Sequence, residues 1–186
     1  MEGIPRWAGF RVAIVLAILS LGLTACDNAR SPAAQPRPTP PAGATASADR
    51  EAADRRAAEQ AYRQFWQVSW TFDQHYAQNQ WRDVLGAVAV DPELSLLLSG
   101  AQRQRQHGIT LYGAVIPHPT VPPVNGKNTA TVRDCQDASH SGQADAKTGK
   151  AHTVGVARNP VVATLARGED GRWRVSQIRY PGGRCV

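Results

Sequence analysis

Residues 153–180 read TVGVARNPVVATLARGEDGRWRVSQIRY. Two runs, near Thr153 to Arg167 and Arg172 to Tyr180, flank Gly168-Glu169-Asp170-Gly171, a cluster of turn formers, so the segment predicts two strands joined by a turn. In the second run Trp173 and Val175 alternate on one face, yet Ile178 and Tyr180 have the opposite parity. A bulge at Ser176-Gln177 reconciles them, and a bulge bends a sheet. Upstream, Thr129 to Cys135 keeps a period of two, and Val124-Asn125-Gly126-Lys127 carries the Asn-Gly pair that suits a hairpin turn. Ile109 to Val121 is a further strand, which Pro117 and Pro119 push toward an edge or a bend. The stretch from Gln136 to Lys150 (QDASHSGQADAKTGK) reads as a long polar loop.

Ahead of the strands the period is helical. From Arg50 to Gln78, Tyr62, Phe65, Trp66, Ser69, Asp73 and Tyr76 fall at i, i+3, i+4, i+7, i+11 and i+14, while Arg63, Gln64, Gln67, Gln74 and Gln78 lie opposite. That is the stripe of a surface helix packed on a core. Trp81, Leu85 and Val88 form a shorter repeat. Asp91-Pro92 then opens a third helix, with Asp as N-cap and Pro at the first helical position, and Leu94, Leu97, Leu98 and Ala101 as its buried stripe. Gly108 supplies the left-handed residue that ends it, and Arg103, Arg105 and His107 complement the negative end of its dipole. Helices first and antiparallel strands after give an α+β domain, its N-terminal helices packed on one face of a bent antiparallel sheet.

The N-terminus concerns address. MEGIPRWAGFR carries Arg6 and Arg11, and Val12 to Leu23 (VAIVLAILSLGL) is almost wholly apolar. A span needs roughly 20 apolar residues, so this shorter run reads as an export signal. Leu23-Thr24-Ala25-Cys26 resembles a bacterial lipobox, in which the cysteine is diacylated and becomes the first residue of the mature chain. Residues 1–25 are thus expected to be a lipoprotein signal peptide, 26–50 a Pro- and Ala-rich disordered tether, and 51–186 a single domain. The implied location is the outer face of a bacterial cytoplasmic membrane, with membrane lipid as partner through acylated Cys26. Once Cys26 carries lipid, Cys135 and Cys185 remain, and in an oxidising compartment they most simply pair with each other.

The formal charge of the chain is +6, a modest excess concentrated in the arginines near the C-terminus. Solvated outward positions on strands account for it, and nucleic acid is not an expected partner at that address.

DPEL before the third helix, TATVRDCQD on a middle strand and VGVARNPVVATLARGEDGRWRVSQIRYPGGRC at the end resemble a family of bacterial secreted proteins and lipoproteins with the cone-shaped fold of the nuclear transport factor 2-like superfamily. The resemblance spans about residues 58 to 186. It implies the cone, and it implies that Cys135 and Cys185 are a structural pair. The family carries no assigned reaction.

That superfamily includes ketosteroid isomerase, in which a pocket carboxylate works beside a phenol, so Tyr62, Trp66, Asp73, Tyr76 and Tyr112 are the pocket candidates here. Asp134, Asp137, His140, Asp145 and His152 gather around the polar loop, but their spacing matches no zinc pattern, and neither a metal nor another cofactor is expected. G-x-S-x-G, a Walker A loop and a dinucleotide fingerprint are all missing from the sequence. The expected function is therefore a tethered binding or scaffolding module, whose partner is a small apolar ligand or an envelope protein. The alternative is a pocket enzyme of isomerase or hydratase type. A cone lined by Trp, Leu and Val favours the first, and an Asp buried within reach of a Tyr favours the second.

Overall fold

Between Pro41 and Pro92 the sequence holds no proline, and the chain there is helical over most of its length. The computed structural model describes residues 42–124, 126 and 128–185, with side chains from Ala46 onward. The expected signal peptide, Cys26 and most of the expected tether lie outside the described residues, as do Asn125 and Lys127 of the expected turn. Helix α1 runs Ala42–His75, a 3-10 turn covers Gln78–Gln80, α2 runs Trp81–Gly86 and α3 runs Glu93–Gln106. Strands follow at Ile109–Tyr112 (β1), Pro119–Thr120 (β2), Thr129–Gln136 (β3), Gly142–Asp145 (β4), Asn159–Arg167 (β5) and Trp173–Arg179 (β6). Among the described residues no helix is long and apolar enough to cross a membrane.

The α1 stripe forms as its spacing places it from Tyr62 to Ser69, whereas Asp73 is half-buried and Tyr76 is exposed. Tyr62, Phe65, Trp66, Ser69 and Phe72 are buried, and Arg63, Gln64, Gln67 and Gln74 face out. The helix begins at Ala42 rather than Arg50, because the alanine-rich stretch after Pro41 holds no breaker strong enough to stop it. Helix α3 starts one residue later than its sequence suggests. Pro92 is the N-cap residue and Glu93 the first helical one. Asp91 still serves the helix end, since its Oδ1 accepts from the Ser95 amide at 3.1 Å and from the Ser95 hydroxyl at 2.6 Å. At the other end Gly108 adopts φ 64°, the left-handed geometry that a helix stop requires.

The strands make two antiparallel sheets instead of one. A four-stranded sheet has the order β2-β3-β5-β6, and β1 pairs with β4 in a second. Strand β2, which carries Pro119, sits at an edge as expected. The region read as a loop from Gln136 to Lys150 contains β4. This strand escapes an apolar reading because its inward side chains are small: Gly142 and Ala144 are buried, as is Ser141 beside them. Close approach explains the glycine at position 113, between β1 and the next segment. It has φ 70°, and a Cβ there would collide with the His140 carbonyl.

The bulge falls where the change of parity places it. Leu165 pairs with Val175 and Thr164 with Gln177, which leaves Ser176 as the extra residue, its hydroxyl donating to the Thr164 carbonyl at 3.1 Å. Val175 is fully buried and Ile178 packs against the same core. That core joins Ala58, Tyr62, Phe65 and Trp66 of α1 to Ala130 and Val132 of β3, Val161, Ala163 and Leu165 of β5, and Trp173 and Val175 of β6. A second cluster, Phe72, Trp81, Leu85 and Ala101, holds the three helices together. Cys135 and Cys185 form a disulfide with Cα atoms 5.5 Å apart, which ties the C-terminal tail to β3.

Candidate functional site

Alternation along β3 sends Ala130, Val132, Asp134 and Gln136 to the buried face. The first two are core. Asp134 is a carboxylate in that same row, and it is matched from both sides. Tyr62 on α1 donates its hydroxyl to Oδ2 at 2.8 Å, and the His118 amide donates to Oδ1 at 2.6 Å. Burial pushes the Asp134 carboxyl above the usual carboxylate range, and the Tyr62 and His118 hydrogen bonds oppose that rise without cancelling it. The Tyr62 phenol is driven up as well, first by burial and then by the adjacent Asp134 charge. An Asp within hydrogen-bonding reach of a Tyr therefore exists, but each carboxylate oxygen already has a donor. Neither residue borders the cavity described next.

A cavity of about 350 Å³ opens between α1, α3 and the end of β6. Helix α1 contributes Phe65, Trp66, Ser69, Trp70 and Phe72. Helix α3 contributes Glu93, Leu96, Leu97, Gly100, Ala101 and Gln104, which recur at i, i+3/4, i+7/8 and i+11, one face of the helix. Leu111, Ile178 and Tyr180 complete the wall. Leu96 and Tyr180 are both 59% exposed and mark the rim. Glu93 is only 7% exposed. Its Oε2 accepts from the Ile178 amide at 2.9 Å, a bond that pins the edge strand β6 to α3. Burial raises the Glu93 carboxyl above its ordinary value, and the Ile178 amide only partly offsets this.

Of the five pocket candidates, Trp66 alone borders this cavity. Tyr62 is in the core with Asp134. Asp73 is half-buried, its Oδ1 lacks a hydrogen-bond partner among the described residues, and burial raises its carboxyl, yet it is not among the cavity residues. Tyr76 lies past the end of α1 and is 45% exposed. Tyr112 is spent on structure, its hydroxyl donating to the Thr153 carbonyl at 2.9 Å and its carbonyl accepting from Trp70 Nε1 at 3.2 Å. Sequence reasoning missed Glu93, and the same-face spacing with Leu97, Gly100 and Ala101 is the signal that points to it. It also set Asp134 beside the polar loop, although its parity with Ala130 and Val132 directs it inward.

The other acidic residues of that region serve turns. Asp137 accepts from the Ser139 amide at 2.9 Å and hydroxyl at 2.7 Å, and Asp145 accepts from the amides of Lys147 and Thr148 at 3.0 and 2.8 Å. Among the described residues no group of three or more His, Cys, Asp or Glu is placed to hold a metal ion. No protein-family model matches the chain, and no curated protein is similar to it in sequence.

Proposed function

We propose that the chain is a membrane-tethered binding module of the cell envelope that takes a small, largely apolar ligand between α1 and α3. The cavity carries this reading. Its volume of about 350 Å³ lies within the range of small-molecule sites, and its wall is mostly aromatic and aliphatic with a few polar groups, as such sites are. The finer architecture proposed with it is the nuclear transport factor 2-like cone, with the helices closing one side. The anchor is Cys26, diacylated at the outer face of the cytoplasmic membrane, since two acyl chains hold a protein firmly where one does not. An enzyme of isomerase or hydratase type is the weaker reading, because each Asp134 oxygen already accepts a hydrogen bond and neither Tyr62 nor Asp134 lines the cavity.

A thermal-shift panel of small apolar molecules tests the binding reading on the full chain. A ligand at a hundred times its Kd should stabilise the fold by about 2.7 kcal/mol. Gly100→Trp, which places an indole into open space on the cavity wall, should abolish the shift. If no member stabilises the wild type, the weight passes to contact with an envelope protein. Mass spectrometry of the protein from its native membrane tests the anchor, and an unmodified Cys26 rules it out.

A further inference from the structure

The cavity is apolar, but its charge is one-sided. No Lys, Arg or His is among its lining residues, although the chain as a whole is basic at +6. Glu93 is the single ionisable carboxyl in the wall, it is more than nine-tenths buried, and it forms no ion pair among the described residues. One oxygen is occupied by the Ile178 amide, and among the described residues nothing donates to the other. That amide and the positive end of the α3 dipole, in whose first turn Glu93 lies, compensate the carboxylate in part, and a full counter-charge is missing among the described residues. The same cavity is lined by Phe65, Trp66, Trp70, Phe72 and Tyr180, and aromatic rings attract cations as well as apolar groups.

We propose that the ligand is an organic ammonium ion, its cationic head held by the Glu93 carboxylate and its apolar body against the aromatic and leucine wall. The proposal rests on the binding reading above and adds the charge. A cation entering this site completes an ion pair in a low-dielectric pocket, whereas a neutral ligand of the same shape leaves the carboxylate unmatched. The rim suits such a guest, because Leu96 and Tyr180 present apolar surface at the entrance and no positive side chain in the wall repels it.

The test compares two probes of one shape, benzyltrimethylammonium and its neutral carbon analogue neopentylbenzene. Both are titrated by calorimetry into the full-length protein in a non-ionic detergent, against detergent blanks. The wild type should bind the cation at least tenfold more tightly than the neutral probe, Glu93→Gln should bring the two within threefold, and Gly100→Trp should lose both. Equal or tighter binding of the neutral probe by the wild type, or a cation preference that survives Glu93→Gln, overturns the ammonium proposal and leaves the cavity reading standing. If neither probe binds, or if Gly100→Trp binds both as well as the wild type does, the cavity reading falls and this proposal falls with it. Should circular dichroism show that Glu93→Gln does not fold, the wild-type preference and its loss in Gly100→Trp decide the question.

Discussion

Tyr62→Phe removes one oxygen from the core and leaves the ring in place, so it isolates the bond to Asp134. In the wild type this hydroxyl, 2.8 Å from Oδ2, holds down a carboxyl that burial drives up. A group whose folded pKa is raised contributes stability at low pH and loses it as pH rises from the ordinary carboxylate value of about 4 through the folded value. Removing the hydroxyl raises the folded value further, so the loss caused by the mutation must grow with pH. Below the ordinary carboxylate value of about 4 the carboxyl is protonated in both states, and the cost is that of one neutral hydrogen bond, about 1 kcal/mol. Once the pH has passed the folded value, Oδ2 is a buried, charged acceptor without its donor, and the cost should reach about 2–3 kcal/mol, with each added pKa unit accounting for about 1.4 kcal/mol. Besides Tyr62, His118 and Arg63 act electrostatically on the carboxyl, and Tyr62→Phe retains both. Urea unfolding followed by tryptophan fluorescence, with the disulfide oxidised, measures the loss at about pH 3.5 and about pH 8. A double-mutant cycle with Asp134→Asn should give a coupling of about 1.5 kcal/mol or more at pH 8. A Tyr62→Phe loss that is equal at about pH 3.5 and about pH 8, or a coupling below about 0.5 kcal/mol, would refute the reasoning.

Cys185→Ser should lower stability by about 2–4 kcal/mol, because the bridge closes a loop with a sequence separation of 50 residues, and thermal unfolding with and without reductant will read the difference. Gly100→Ala should stabilise the fold by roughly 0.5–1 kcal/mol, since a Cβ there meets nothing within 4 Å and alanine is the better helix former; a neutral or negative effect in denaturant unfolding would count against the placement of α3. Gly113→Ala should do the opposite and lower the unfolding midpoint, because its positive φ and the His140 carbonyl both oppose a side chain.

Much of this architecture can be read from the sequence where burial is apolar and periodic. The α1 stripe from Tyr62 to Ser69 and the repeat of Trp81, Leu85 and Val88 are buried as their spacing requires. The Ser176 bulge follows from the parity of four side chains. Reading fails where inward positions are not apolar. Strand β4 buries small residues, which leave no hydrophobic signal, and Glu93 and Asp134 are carboxylates that occupy inward positions through a hydrogen bond from a distant element. Those partners, Ile178 for Glu93 and Tyr62 for Asp134, lie 85 and 72 residues away in sequence, beyond the reach of any local pattern. The candidate tyrosines failed for the converse reason. Tyr76 and Tyr112 have rings suited to a pocket, but the end of α1 exposes one and the Thr153 carbonyl engages the other.

The disulfide also has a mechanical consequence if the chain is pulled from its ends. Tension applied to the C-terminus enters at Cys185, crosses to Cys135 and runs along β3 toward the helices, so β4, β5 and β6 lie on a branch that carries no load. The 50-residue separation between the two cysteines is withheld from stretching, a hidden length of about 170 Å at roughly 3.4 Å per extended residue. Pulled from its two ends, the oxidised protein should lengthen by that much less than the reduced one, and the segment behind the bridge should extend only after a reductant has cut it.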